Sequence, residues 1–196
     1  MKKPSLLTKT IAATTLGLAL VGGIAATANA AVEPTNTTAN QAVTVEQAAK
    51  HDNKTPKGIV EVDTISADTA MKAAQAALKE AQKKNVRVTI VIVDRSGATR
   101  LVVHGDNAGP QTEESAQRKA FTAVSFGKAT SQLAGGATGD APNIGDIPGT
   151  LFLAGGVPVA VDGLSIAGIG VGGAPSGDID EAIANAALAA IANDLK

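Results

Sequence analysis

Three phenylalanines, Phe121, Phe126 and Phe152, are the whole aromatic complement of this 196-residue chain, which has no Trp, Tyr or Cys. A core must therefore be assembled from Ala, Val, Ile, Leu and Gly. The same absences exclude a disulfide scaffold, a zinc finger or ribbon, an iron–sulfur cluster and a cysteine nucleophile. The aromatic platform on which single-stranded nucleic acid stacks is missing. A formal net charge of −1 gives no long-range pull on a polyanion. Nucleic acid is thus not an expected partner, and the length suits one domain.

The first thirty residues read as an address. Lys2, Lys3 and Lys9 form a basic start, Ile11 to Ala25 is mostly apolar, and Ala28-Asn29-Ala30 is a small-x-small site. The pattern predicts a secretory signal peptide over 1–30, cut after Ala30, and hence an exported protein. The alternative, a membrane anchor, is disfavoured because the apolar run falls short of the roughly 20 residues a spanning helix needs. No Cys follows the cut, so a lipid anchor there is excluded, and no Arg pair precedes the apolar run. Cleavage removes three of the 17 basic residues against 18 acidic ones, which leaves the mature chain mildly acidic.

Residues 31–58 are rich in Thr, Asn, Gln and Ala without a sustained period, and read as a flexible N-terminal arm. A single folded domain is expected over 59–196. Ser66 is an N-cap, Asp68 an acid in the first turn, and Met71, Ala74, Leu78 and Ala81 recur at helical spacing, predicting a helix that ends near Asn85. Val86 to Asp94 is apolar on both faces towards its end, as in a central strand. The turn Arg95-Ser96-Gly97 returns the chain as a hairpin partner over Ala98 to His104. Thr112 to Phe126 reads as a second helix, with Ala116, Ala120 and Ala123 on one face and Glu114–Arg118 as an outer i,i+4 pair. A short helix over Lys128 to Ala134 precedes a Gly/Pro-rich loop, Gly135 to Gly149; such long loops are usually functional or mobile. Thr150 to Leu153, Val157 to Val161 and Leu164 to Val171 are strand candidates, the last two joined by the hairpin turn Asp162-Gly163. Asp178 to Leu195 closes the chain as a helix. The expected class is α+β: an antiparallel sheet of about five strands covered by helices.

An ordered set of motifs resembles a known family. It comprises Asp94-Arg95-Ser96-Gly97, Lys119-Ala120-Phe121-Thr122-Ala123, Ser125-Phe126-Gly127-Lys128, Gly155-Gly156-Val157-Pro158 to Asp162-Gly163, and Gly168 to Gly177 before an acidic helix start. Over about Ile65 to Leu195 the chain is similar to the haem-binding HbpS/GlcG-like family. The resemblance implies the cobalamin adenosyltransferase C-terminal-like fold, homo-oligomers and haem as the cofactor. For exported members it further implies accessory sensors of haem or iron stress that partner a membrane histidine kinase. Fold alone would not give the function.

Haem needs an apolar slot, axial ligands and partners for its propionates. With Cys and Tyr absent, the usual protein ligands in the mature chain reduce to His51, His104 and Met71. Met71 is expected on the buried face of the first helix, where packing accounts for it. His51 lies in the arm and could fold over a bound haem. His104 ends the second strand. Thr150 follows the long loop beside Phe152, and the resemblance places the matching position beside the haem slot. These choices imply weak, exchangeable haem, bound by a sensor rather than held by an oxygen carrier. Asp178 and Glu181 lie on one helix face and offer hard oxygen ligands for iron ions, although such spacing is also a helix-capping signature. The Gly170 to Gly173 run is superficially similar to a phosphate loop but lacks the G-x-G-x-x-G and Gly-Lys-Ser/Thr patterns. No G-x-S-x-G is present for a serine hydrolase. Enzymatic breakdown of haem, peroxide handling at bound iron, and a purely structural oligomeric module remain the alternatives.

Overall fold

The computed structural model describes residues 57–196. The expected signal peptide and nearly all of the expected arm, including His51, lie outside them. The elements are α1 (Ala67–Lys83), β1 (Thr89–Asp94), β2 (Thr99–His104), α2 (Gln111–Phe126), α3 (Thr130–Leu133), β3 (Gly156–Val161), β4 (Leu164–Gly172) and α4 (Gly177–Ile191). Two 3₁₀ turns, Ala134–Gly136 and Ile144–Asp146, interrupt the long loop.

The four strands form one antiparallel sheet in the order β2-β1-β4-β3. The topology follows from two hairpins laid side by side. The first turns through Asp94, whose Oδ1 accepts from Ser96 N, Ser96 Oγ and Ala98 N at 2.8, 2.6 and 3.1 Å. The second turns through Asp162 and Gly163, both at positive φ (51° and 80°), the backbone that Asp-Gly supplies at a two-residue turn.

Alternation along β1 decides what covers each face. Ile90 and Ile92 join the larger core under α1 and α4, whereas Val91 and Val93 face α2 with Ala116, Ala120 and Val124. All four are fully buried, so β1 is a central strand as its two apolar faces predict. α1 meets α4 through alanines: Ala70, Ala73, Ala74, Ala77 and Ala81 on one side, Ala184 and Ala187 with Ile183 and Ile191 on the other. α1 starts where Ser66 Oγ accepts from Thr69 N at 3.2 Å.

α2 sits on the sheet at an unusually close approach, made possible by alternate glycines on β4. A Cβ at Gly168, Gly170 or Gly172 would stand 2.2, 1.9 and 2.9 Å from the carbonyl oxygens of Ala120, Ala116 and Thr112, one helical turn apart. At Gly156 on β3, the cross-strand partner of Gly170, it would stand 2.3 Å from Lys119 O. Glycine here serves to let backbone meet backbone.

Four expectations change. The sheet has four strands, because Thr150 to Leu153 makes no ladder. Met71 is 47% exposed rather than buried, since the buried stripe of α1 runs through the alanines one position away. β1 begins at Thr89 rather than Val86, and α4 ends at Ile191 rather than Leu195.

Candidate functional site

The segment 150–153 looks like a strand in sequence and is held like one, but by side chains. Leu151 N donates to Thr122 Oγ1 of α2 at 2.8 Å. Leu153 O accepts from Thr130 Oγ1 of α3 at 2.7 Å, and Thr130 Oγ1 in turn accepts from Gly156 N at 3.0 Å. The segment so fixed brings Thr150 and Phe152 together in one cleft of about 410 Å³. Leu151, Leu153, Ala134 and Ala137 supply apolar wall, and Thr138 and Gly145 close the loop side. Phe152 meets Phe126, the last residue of α2, edge to face at a centroid distance of 5.8 Å. The loop wall is ordered by its own bonds: Asn143 Oδ1 accepts from Gly145 N at 2.8 Å, and Asp146 Oδ2 accepts from Asn143 N at 2.8 Å.

This cleft has the size of a small-molecule site, and no residue lining it is charged. Thr150 Oγ1 donates its proton to Ile147 O at 2.7 Å, which leaves its lone pairs for a Lewis acid. The residues present therefore fit a shallowly held haem. The neutral walls leave the propionates to solvent, and one hydroxyl oxygen is a weak partner for iron.

His104 lies elsewhere. It lines a smaller cleft of about 190 Å³ with Leu78, Gln82, Val86, Arg87 and Asp106, and shares no wall with Thr150. Its ring is held by a chain of hydroxyls: Thr89 Oγ1 lies 2.9 Å from His104 Nδ1 and 2.7 Å from Thr112 Oγ1, which donates to Gly109 O at 2.6 Å. Nε2 lies 3.2 Å from Ala108 O, so iron at Nε2 would have to displace that contact.

Asp178 is exposed at the start of α4. Glu181 is engaged, accepting from Ser131 Oγ at 2.7 Å and Gly155 N at 3.3 Å. Ser176, not Asp178, caps the helix, with Oγ accepting from Ile179 N. Among the described residues no group of three or more His, Cys, Asp or Glu side chains could hold a metal.

The sequence reading missed a buried ion pair. Lys119 of α2 and Asp180 of α4 are each 3% exposed, with Nζ to Oδ2 at 2.8 Å. Lys119 Nζ also donates to Val171 O at 3.0 Å, and Asp180 Oδ1 accepts from Ala174 N at 3.0 Å. Burial pushes the Asp180 carboxyl above the ordinary aspartate range, against the pull of the Lys119 ammonium and the Ala174 and Gly173 N–H groups. A signal was present: Lys119 falls on the Ala116–Ala120–Ala123 face, and Asp180 three residues before Ile183. The pair borders a cleft of about 510 Å³, with Thr112, Ser115 and the loop 173–177.

Comparison with known proteins agrees with this architecture. The family model described as haem degrading protein HbpS-like matches residues 65–189. A double mutant of Streptomyces reticuli HbpS, solved by crystallography, is 48% identical at a TM-score of 0.66, over 72% of this chain and 97% of that one. PduOC, crystallised as a haem complex, is 30% identical at a TM-score of 0.61, over 66% and 96%. Klebsiella pneumoniae ORFY is 26% identical at a TM-score of 0.64, over 71% and 98%. No curated protein matches the chain significantly. With a family match across most of the chain and this level of identity over the folded part, the protein belongs to the HbpS-like family.

Proposed function

We propose that the protein binds haem reversibly in the cleft of Thr150 and Phe152. On this reading it works outside the cytoplasm as an oligomeric accessory sensor, signalling haem or iron stress through a membrane histidine kinase. The observation that carries the haem reading is the uncharged cleft of about 410 Å³ with a lone-pair oxygen and an aromatic ring side by side. The relative crystallised with haem supports it. Export rests on the pattern of Met1 to Ala30. When bound, haem would supply an iron centre that responds to redox state. This chain would contribute the apolar wall of Leu151 and Leu153, the Phe152 ring and the Thr150 oxygen. Iron ions at Asp178 and Glu181 would be held weakly, because Glu181 already accepts two hydrogen bonds.

The description of the matching family favours a second reading, in which bound haem is broken down. One titration addresses both. Haemin added to the purified protein should give a saturable shift of the Soret band, and an unchanged haemin spectrum would refute the proposal. Peroxide added to the saturated protein then separates the readings: a stable band supports the sensor, and loss of the band with peroxide consumption supports breakdown.

A further inference from the structure

We propose that Thr122 and Thr130 are positioning residues for haem, acting through the segment 150–153; this rests on the haem reading above. Neither touches the open cleft. Both side chains are fully buried, on α2 and α3 respectively. Each hydroxyl both donates and accepts. Thr122 Oγ1 donates to Arg118 O at 2.7 Å and accepts from Leu151 N at 2.8 Å. Thr130 Oγ1 donates to Leu153 O at 2.7 Å and accepts from Gly156 N at 3.0 Å.

The two threonines therefore stand in for a neighbouring strand. They satisfy backbone groups at both ends of the three-residue stretch 151–153; Phe152 is its middle residue and Thr150 directly precedes it. A buried N–H or C=O left without a partner is costly, so the backbone has a strong reason to stay on these two oxygens. Such a clamp sets how far Thr150 Oγ1 and the Phe152 ring stand into the cleft. A site loosened by an ångström loses much of its affinity even when every contacting residue is retained.

The clamp should govern the iron-dependent part of binding. Haemin and iron-free protoporphyrin share the apolar contacts, and only haemin gains from the Thr150 oxygen. The test compares both ligands on the intact protein and on Thr122→Val, Thr122→Ser and Thr130→Val. Valine keeps the shape and removes the hydroxyl, whereas serine keeps the hydroxyl.

The inference predicts that Thr122→Val and Thr130→Val lose about tenfold in haemin affinity, as removal of one such bond implies. It predicts a smaller loss for protoporphyrin, a displaced Soret maximum, and restoration of both by Thr122→Ser. Equal losses for the two ligands, or wild-type haemin binding in a folded Thr122→Val protein, would overturn it. Hydrogen exchange on the unmodified protein supplies a check that does not depend on variants folding. The amide of Leu151, which lies in no ladder, and that of Gly156, whose N–H bonds Thr130 Oγ1, should be protected, and fast exchange at both overturns the clamp. If haemin leaves the wild-type spectrum unchanged, the haem reading itself fails, whereas normal wild-type binding with insensitive valine variants refutes only the clamp.

Discussion

Replacing Gly170 by alanine tests the idea that alternate glycines on β4 let α2 lie directly on the sheet. The added Cβ would stand 1.9 Å from Ala116 O and 2.7 Å from Ala120 N. Ordinary contact begins at 3.4 Å, so the carbonyl must retreat by about 1.5 Å. The obstacle is helix backbone, not the end of a flexible side chain, so the whole of α2 has to lift. Its contacts with Val91, Val93 and the sheet would loosen together. Overpacking usually costs about 1–3 kcal/mol, and a backbone obstacle belongs at the top of that range. Alanine recovers about 0.4–1 kcal/mol by restricting the unfolded chain. The expected net loss is about 2–3 kcal/mol. The clash distances predict a graded series, Gly170→Ala worst, Gly168→Ala next and Gly172→Ala mildest, at 1.9, 2.2 and 2.9 Å. Gly135→Ala, with nothing within 4 Å, is the control and should be neutral or slightly stabilising. The assay is denaturant unfolding followed by far-ultraviolet circular dichroism, because a chain without Trp or Tyr has little intrinsic fluorescence. A Gly170→Ala protein within about 0.5 kcal/mol of the parent, or a series in another order, would refute the reasoning.

Two further perturbations address the electrostatics. Lys119→Met leaves the Asp180 carboxylate buried without its ammonium and should cost about 3–5 kcal/mol in denaturant unfolding. Lys119→Met with Asp180→Leu should recover only part of this, because the Ala174 N–H then loses its acceptor; full recovery to the parent would contradict the role given to Asp180 in holding the 173–176 loop. Asp94 is held below the ordinary aspartate range, chiefly by the Ser96 hydroxyl and then by the Ser96 and Ala98 N–H groups and Arg100. Its folded value lies below its unfolded value, so its stabilisation is present above the unfolded value of about 3.9 and is lost as pH falls through the folded one. Asp94→Asn should flatten the acid limb of the stability–pH curve below about pH 4, and an unchanged limb would count against the turn as a stabilising element.

Much of the architecture is legible in residue pattern because it depends on local chemistry. The two hairpins come from Asp-led turns whose side chain or positive-φ backbone closes them. The central place of β1 comes from apolar residues on both faces. The segment 150–153 misleads because Leu-Phe-Leu satisfies a strand pattern, whereas its backbone partners are hydroxyls from α2 and α3 that only the tertiary fold delivers. Lys119 and Asp180 mislead in the opposite sense. Each is charged and reads as surface, yet each lies on an otherwise apolar helix face, and they meet 61 residues apart in sequence. Thr150 and Phe152, near neighbours in sequence after the long loop, share a cleft, whereas His104 belongs to another one. Nothing in the spacing of His104 announces the Thr89–Thr112 chain that holds its ring, since those residues converge only when β1, β2 and α2 pack.

The location of the bound porphyrin is the most direct test of the account. Gallium protoporphyrin, a diamagnetic stand-in for haemin, can be added to the isotopically labelled protein and followed by amide chemical shifts. The account predicts saturable changes centred on 134–138, Gly145 and 150–153, with Phe126 affected through its contact with Phe152. Changes centred instead on His104 and 105–108, on the loop 173–178, or nowhere at saturating ligand would contradict it.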